Sequence, residues 1–157
     1  MNPELMNIPK PIGTVADILE AKGQVVHAIG PRESVYAAIV KMSACRVGAL
    51  PVMDGAKLVG IISERDYTRR VVLEGRVSKD TPVADIMTAN VITVETDTSL
   101  GECLHIVTRD AVRHLPVLNG DEVIGLVSIG DLVSAVVAQQ VETIASLKSF
   151  IGSDYPT

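Results

Sequence analysis

The sequence predicts an α+β (mixed αβ) fold made of two pseudo-symmetric β-α-β-β-α repeats, and three observations carry that reading. Residues 46–72 recur as residues 111–137, with ten of 27 aligned positions identical. Five of the other 17 positions exchange one aliphatic residue for another. Upstream, Val15-Ala16-Asp17-Ile18 matches Val83-Ala84-Asp85-Ile86, at an offset three residues larger, which a loop between Leu19 and Ser34 can absorb. Finally, apolar spacing switches between helical and strand periods at corresponding places in both copies. A duplicated unit of about 60 residues therefore accounts for nearly the whole chain.

The elements follow in order. Thr14 is a fitting N-cap for a short helix starting at Val15. Val25–Ile29 is rich in β-branched residues and reads as a strand. Gly30-Pro31 ends it, and Ser34 caps a helix from Val35 to about Ser43, with Val35, Ile39 and Met42 at helical spacing. Ala49–Met53 is a second strand, and Asp54-Gly55 turns the chain into a third, Lys57–Ser63. Glu64–Leu73 closes the repeat as a helix. The second copy runs through strand Ile92–Val94, helix Ser99–Arg109, strand His114–Leu118, turn Asn119-Gly120 and strand Glu122–Ser128, with a helix from Ile129. Gln139–Ile151 continues as an amphipathic helix carrying Val141, Ile144, Ala145 and Leu147. The resulting divisions are an N-terminal extension (1–13), repeat one (14–74), a polar linker (75–81), repeat two (82–138), and a C-terminal helix and tail (139–157). That last helix completes the core, braces a dimer or docks a partner, with core or dimer packing the favoured role.

Composition narrows the classes of function. At 157 residues, folding buries roughly 70% of the unfolded surface. Each half alone would bury less, so the two copies are expected to share a core. Hydrophobic residues make up 47% and aromatics 3%, which predicts a folded, soluble chain with an aliphatic interior. A net charge of −5 opposes non-specific nucleic-acid binding, which depends on cations neutralising phosphates. No apolar run approaches the ~20 residues needed to span a bilayer. The N-terminus lacks the basic start and apolar core of a signal peptide. Cys45 and Cys103 occupy non-equivalent places without metal-ligand spacing. A cytoplasmic chain with incidental thiols and no metal is the expectation.

Leu-Pro-Val on the second strand of each repeat, followed by Gly-h-h-Ser-x-x-Asp at the third (h apolar), resembles the CBS-domain family, two of whose repeats form a Bateman module. The likeness spans about residues 14–138. Ser63-Glu64-Arg65-Asp66 and Arg113-His114-Leu115-Pro116-Val117 are further similar to small bacterial proteins made only of this module. The resemblance implies a non-catalytic regulatory or energy-sensing module and clefts between the repeats that bind adenosine-containing ligands: AMP, ADP, ATP, NAD or S-adenosylmethionine. It also implies a homodimer of modules.

Residue chemistry is compatible with that implication. A strand ending at Ser63 leads into a helix whose first-turn N–H groups attract anions. Asp66 can accept hydrogen bonds from both hydroxyls of a ribose, each contributing about 1.5–3 kcal/mol. Ser-x-x-Asp is also a capping box, which requires no ligand. The recurrence at Ser128 and Asp131, within the family pattern, favours the ligand role, and the two roles can coexist. Arg65 precedes Asp66 and can pair with a phosphate. Its counterpart Gly130 instead lets backbone approach a ligand. Arg69 and Arg70 belong to a solvated face or to a ligand contact, the former preferred. Arg113 offers a charged fork or a surface ion pair, and His114 is a phosphate contact or a packed strand histidine.

Carried over from the family, one cleft joins Lys22, Val25, Val26, Arg46, Val47, Gly48 and Ala49 to Ser128, Gly130 and Asp131. The other joins Thr88, Asn90, Val91, Ile92, Val112, Arg113 and His114 to Ser63, Arg65 and Asp66. The second has the fuller phosphate equipment and is expected to be the tighter site. The regulated partner protein is not legible. A purely structural dimerisation module without a nucleotide ligand is the alternative. No phosphate loop, Gly-x-Gly-x-x-Gly motif or nucleophile-base arrangement supports an enzyme.

Overall fold

The computed structural model describes residues 11–153. The first ten residues of the expected N-terminal extension, and the tail from residue 154, lie outside this range. Helix α1 (Val15–Lys22) is followed by α2 (Val35–Cys45), strands β1 (Ala49–Asp54) and β2 (Lys57–Ser63), and the short helix α3 (Glu64–Tyr67). The second copy contains β3 (Val94–Glu95), α4 (Leu100–Arg109), β4 (His114–Asn119), β5 (Glu122–Ser128) and the long helix α5 (Ile129–Ser153). Strands β1 and β2 form an antiparallel hairpin, and β4 with β5 forms its counterpart. Both carry a register shift at the same place, between Val52 and Met53 and between Val117 and Leu118. Gly55 and Gly120, at φ 61° and 63°, supply the left-handed backbone each tight turn requires.

Two expectations change. Of the strand anticipated at Val25–Ile29, only Ile29 pairs, parallel to Val52. Ile29 N–H donates to the Pro51 carbonyl and Met53 N–H to the Ile29 carbonyl. The next rung would need an N–H from Pro51, which proline lacks, so the ladder stops there. Val25 is left 69% exposed. Pro116 stands at the same place in the second copy, where the strand likewise begins only at Val94. The helix expected over Glu64–Leu73 is α3 continued by a wider, π-helical segment, Thr68–Val72. The helix expected from Gln139 is the continuation of α5, unbroken over 25 residues.

The copies do not share a single core. They form two, each built from both halves. Val15, Ile18 and Leu19 of α1 pack with Val94, Leu100, Ile106, Val107, Leu115, Val117, Val127 and Leu132 of the second copy. Val83 and Ile86, which open the second copy in a 3-10 turn (Val83–Asp85), pack with Ile29, Val35, Met42, Leu50, Val52, Ile62 and Val71 of the first. The repeats thus exchange their leading segments. Backbone bonds secure both exchanges in equivalent positions: Val15 N–H to Thr98 O (2.9 Å) and Leu100 N–H to Gly13 O (3.1 Å), against Val83 N–H to Glu33 O (2.8 Å) and Val35 N–H to Thr81 O (2.8 Å). The Thr81 end of the expected linker is therefore buried structure, not free tether.

Two glycines make the exchange possible. A Cβ on Gly60 would stand 2.5 Å from Met87 Sδ, and one on Gly125 would stand 2.7 Å from Leu19 Cδ2. Met87 and Leu19 hold equivalent places in the leading segments, so each segment lies directly on a strand that carries no side chain there. Beyond Leu132 several large apolar residues of α5 face outward: Val133, Val137, Val141, Ile144 and Leu147 are each more than half exposed. The C-terminal half of this helix does not complete the core of its own chain.

Candidate functional site

Each Ser-x-x-Asp motif sits where a hairpin's last strand turns into a helix. Ser63 pairs with Ala49, and Ser128 with His114, at the open ends of the hairpins. Glu64 N–H donates to Gly48 O (3.1 Å) and Ile129 N–H to Arg113 O (2.8 Å), fixing both helix starts against the neighbouring strand. The capping box is real in both copies. Ser63 N–H reaches Asp66 Oδ2 at 2.9 Å, and Asp66 N–H reaches Ser63 Oγ at 3.3 Å. The corresponding distances for Ser128 and Asp131 are 2.8 and 3.1 Å. Capping consumes Oδ2 of Asp66. Its second oxygen, Oδ1, has no hydrogen-bond partner among the described residues, so the cap leaves an acceptor over.

A cavity of ≈ 260 Å³ opens beside Asp66 and draws its walls from both halves. Six residues of the expected second cleft line it: Ser63, Arg65, Asp66, Thr88, Val112 and His114. Ile61, Arg69, Arg70 and Ala111 complete it. Thr88 is held there by reciprocal backbone bonds with Ile61, at 3.0 and 2.9 Å. Asn90, Val91, Ile92 and Arg113 do not line this cavity. Val91 borders a separate surface depression with Lys57 and Asp121, and Ile92 packs on the second core. Three arginines face one carboxylate, so the cavity favours an anion.

Arg70 is exposed, in keeping with the solvated face expected for it, yet its guanidinium is engaged. Its guanidinium donates to the carbonyls of Ile86 (3.0 Å) and Met87 (3.3 Å). The 3-10 turn preceding those residues is too short to use the carbonyls itself, so a cation caps them. Sequence pattern offered no signal for this, because the partner groups are backbone atoms of the other half. Ala111 carried a subtler one. It follows α4 with φ 52°, as its counterpart Arg46 follows α2 with φ 55°, the two non-glycine residues in left-handed backbone among those described.

The first cleft is assembled differently. Lys22, at the end of α1, donates from Nζ to Asp131 Oδ2 (2.7 Å) and to the Leu126 carbonyl (2.8 Å). Asp131 is thus engaged by Ser128 on its own side and by Lys22 from the opposite half. Burial pushes the Asp131 carboxyl up, but the bonds from Lys22 and Ser128 outweigh it and hold the group below the ordinary carboxylate range. Lys22 and Asp131 line a ≈ 420 Å³ cavity between α1 and α5, together with Ile18, Ala21, Ala135 and Ala138. Of the other residues expected here, Val25, Val26, Arg46, Val47, Gly48, Ala49, Ser128 and Gly130 do not border that cavity. Val47 packs on the first core and Ala49 is fully buried.

His114 stands between the clefts. Its ring lies against Gly48, where an added Cβ would approach Nε2 to 3.4 Å. Burial pulls the imidazole below its ordinary range. Asp131 and, more weakly, Asp66 pull it up, while Lys22 and Arg113 reinforce the fall. The ring therefore stays neutral at pH 7 and feels the charge state of both motifs. Among the described residues, no cluster of three His, Cys, Asp or Glu is placed to hold a metal ion. None of their helices is long and apolar enough to cross a membrane.

Two interlocked αβ repeats, each presenting a Ser-x-x-Asp motif toward the other, define a tandem regulatory type of module. The chain belongs to the CBS-domain family, whose model matches residues 15–73 and 83–138. It is similar to the mitochondrial CBS domain-containing protein CBSX3 of Arabidopsis thaliana, at 37% identity over 151 residues, covering 90% of this chain and 73% of that protein. Among solved structures, it resembles a CBS-domain protein of Burkholderia ambifaria assigned to signal transduction. That likeness has 48% identity and a TM-score of 0.79, and covers 82% of this chain and 96% of the other. A CBS-domain protein of Agrobacterium tumefaciens is 33% identical with a TM-score of 0.75, covering 78% and 98%. CBS pairs are regulatory and signal-transduction modules, and generally not catalysts.

Proposed function

We propose that the chain senses adenosine-containing nucleotides (AMP, ADP, ATP or NAD) and binds them in the Asp66 cavity between its two repeats. One observation carries this reading. The cavity combines a capping carboxylate that keeps one oxygen unused with three arginines, on walls contributed by both halves. A ribose diol suits the carboxylate, and a phosphate suits Arg65 and Arg69. Val112, Ile61 and Ala111 supply the apolar surface a purine requires, in a chain without tryptophan. Because both repeats line the cavity, an occupant changes how firmly they hold together. Only such a difference in affinity between two states can transmit a signal. The exposed apolar stripe of α5 supports self-association of modules as a homodimer.

Titration calorimetry with AMP, ATP and NAD tests the reading. The natural chain binds at least one of them, and Asp66→Ala weakens that binding at least tenfold, about 1.4 kcal/mol. At a hundredfold excess over Kd the ligand adds about 2.7 kcal/mol of stability, which raises Tm by roughly 5–10 °C. A chain whose Tm ignores millimolar nucleotide is a structural dimerisation module instead.

A further inference from the structure

The two clefts are related by an internal duplication, yet the one containing Asp131 is already engaged by the chain's own atoms. Lys22 Nζ sits 2.7 Å from Asp131 Oδ2 and is fixed from a second direction by the Leu126 carbonyl at 2.8 Å. The Ser128 N–H reaches the same oxygen at 2.8 Å, as the Ser63 N–H reaches Oδ2 of Asp66, so the ammonium is what distinguishes the two carboxylates. The corresponding position in the other copy is Asn90, which carries no charge. Helix geometry explains the difference. The leading segment of the first copy is an eight-residue helix whose last residue, Lys22, reaches across to the opposite half. Its equivalent in the second copy is only a three-residue turn, and Thr88 is tied to Ile61 before the chain reaches Asn90.

The cations differ in the same direction. Arg65, Arg69 and Arg70 beside Asp66 become Gly130, Ser134 and Ala135 beside Asp131. The ammonium that remains near Asp131 is spent on that carboxylate. We infer that Lys22 is an internal counter-ion that closes the Asp131 cleft to ribose, so that the chain binds one nucleotide, in the Asp66 cleft. Lys22 is then a latch rather than a ligand contact. This inference rests on the nucleotide reading above and adds its stoichiometry and the residue that sets it. The ion pair is open enough to be broken without disturbing a core, since its side chains are 41% and 24% exposed. Losing it uncovers a carboxylate suited to a diol but without neighbouring cations. The unlatched cleft therefore takes uncharged adenosine more readily than ATP.

Equilibrium dialysis against labelled ATP and labelled adenosine tests this on the full chain. The natural protein takes up one ATP per chain. Lys22→Asn, which installs the residue found in the other copy, still takes one ATP and gains a second site for adenosine, at least tenfold tighter than any second site in the natural chain. Asp131→Asn added to Lys22→Asn removes the gained site. Lys22→Gln repeats the test should the asparagine variant not fold. Two ATP per natural chain would overturn the latch while leaving nucleotide sensing intact, and so would loss of ATP binding in Lys22→Asn or no gain of an adenosine site. No uptake of either compound by any chain would overturn both readings.

Discussion

Gly125→Ala should be costly in the natural chain and cheap in a chain that already carries Leu19→Ala. Leu19 belongs to the first copy by sequence but is 2% exposed inside the core of the second. Truncating it to alanine costs about 2–5 kcal/mol, in the range for buried leucines. A methyl on Gly125 would stand 2.7 Å from Leu19 Cδ2, 3.4 Å from Cδ1 and 3.7 Å from Cγ. Forcing that overlap costs about 1–3 kcal/mol. All three atoms disappear in Leu19→Ala, and the new methyl then occupies part of the void. If the sites were independent, the double variant would lose the sum. Packed as they are, it should lose no more than Leu19→Ala alone, a coupling of about 1–3 kcal/mol. Any benefit of Ala over Gly in the unfolded chain appears in both backgrounds and cancels. Urea unfolding followed by far-UV circular dichroism measures the four corners of the cycle, and suits a chain lacking tryptophan. Additivity within about 0.5 kcal/mol would refute the exchange of leading segments.

Two further outcomes accompany the nucleotide and latch experiments. Arg70→Met keeps length and apolar volume but removes the donors on Ile86 O and Met87 O. For a partly solvated pair of bonds the loss is about 1 kcal/mol, lowering Tm by about 2–4 °C, and an unchanged Tm would refute the capping role. His114, held neutral by burial, makes stability fall with acidity. Above about pH 6.5 neither folded nor unfolded chain carries its proton and the contribution is constant. Below that the unfolded chain binds the proton first, so stability declines until the pH passes the lowered folded value. His114→Gln should flatten this part of a Tm-versus-pH curve between pH 5 and 7. A variant as acid-sensitive as the natural chain would contradict it. Asp131 does not confuse the window, because its lowered carboxyl loses its contribution only below its ordinary value of 3.8.

The partial legibility of the site follows from where its parts lie. Ser63, Asp66, Ser128 and Asp131 were readable because a cap is a local structure: an i, i+3 pair of these residue types at a strand-helix junction. Thr88, Val112 and His114 were grouped with Asp66 through the repeat pattern together with the family likeness, and the structure brings them together around one cavity. The bonds that Arg70 and Lys22 make were not legible for one shared reason. Each has a partner in the opposite half, and no spacing rule connects residue 22 to residues 126 and 131, or residue 70 to the carbonyls of 86 and 87. The strand at Val25–Ile29 failed differently. Its β-branched composition was right, but pairing depended on an N–H that Pro51, in the neighbouring strand, could not provide.

The chain's own order of residues determined the duplication, the hairpins with their glycine turns, the caps and the two acidic motifs, because each depends on neighbours within a few positions. Tertiary structure alone decided that the leading segments change places, that two cores form where one was expected, and that Lys22 pairs with Asp131 while Asp66 has no ion-pair partner among the described residues. Those outcomes turn on contacts between residues tens of positions apart. There, a bare glycine backbone admitting Leu19, or a helix long enough to carry an ammonium across, makes two near-identical halves unequal.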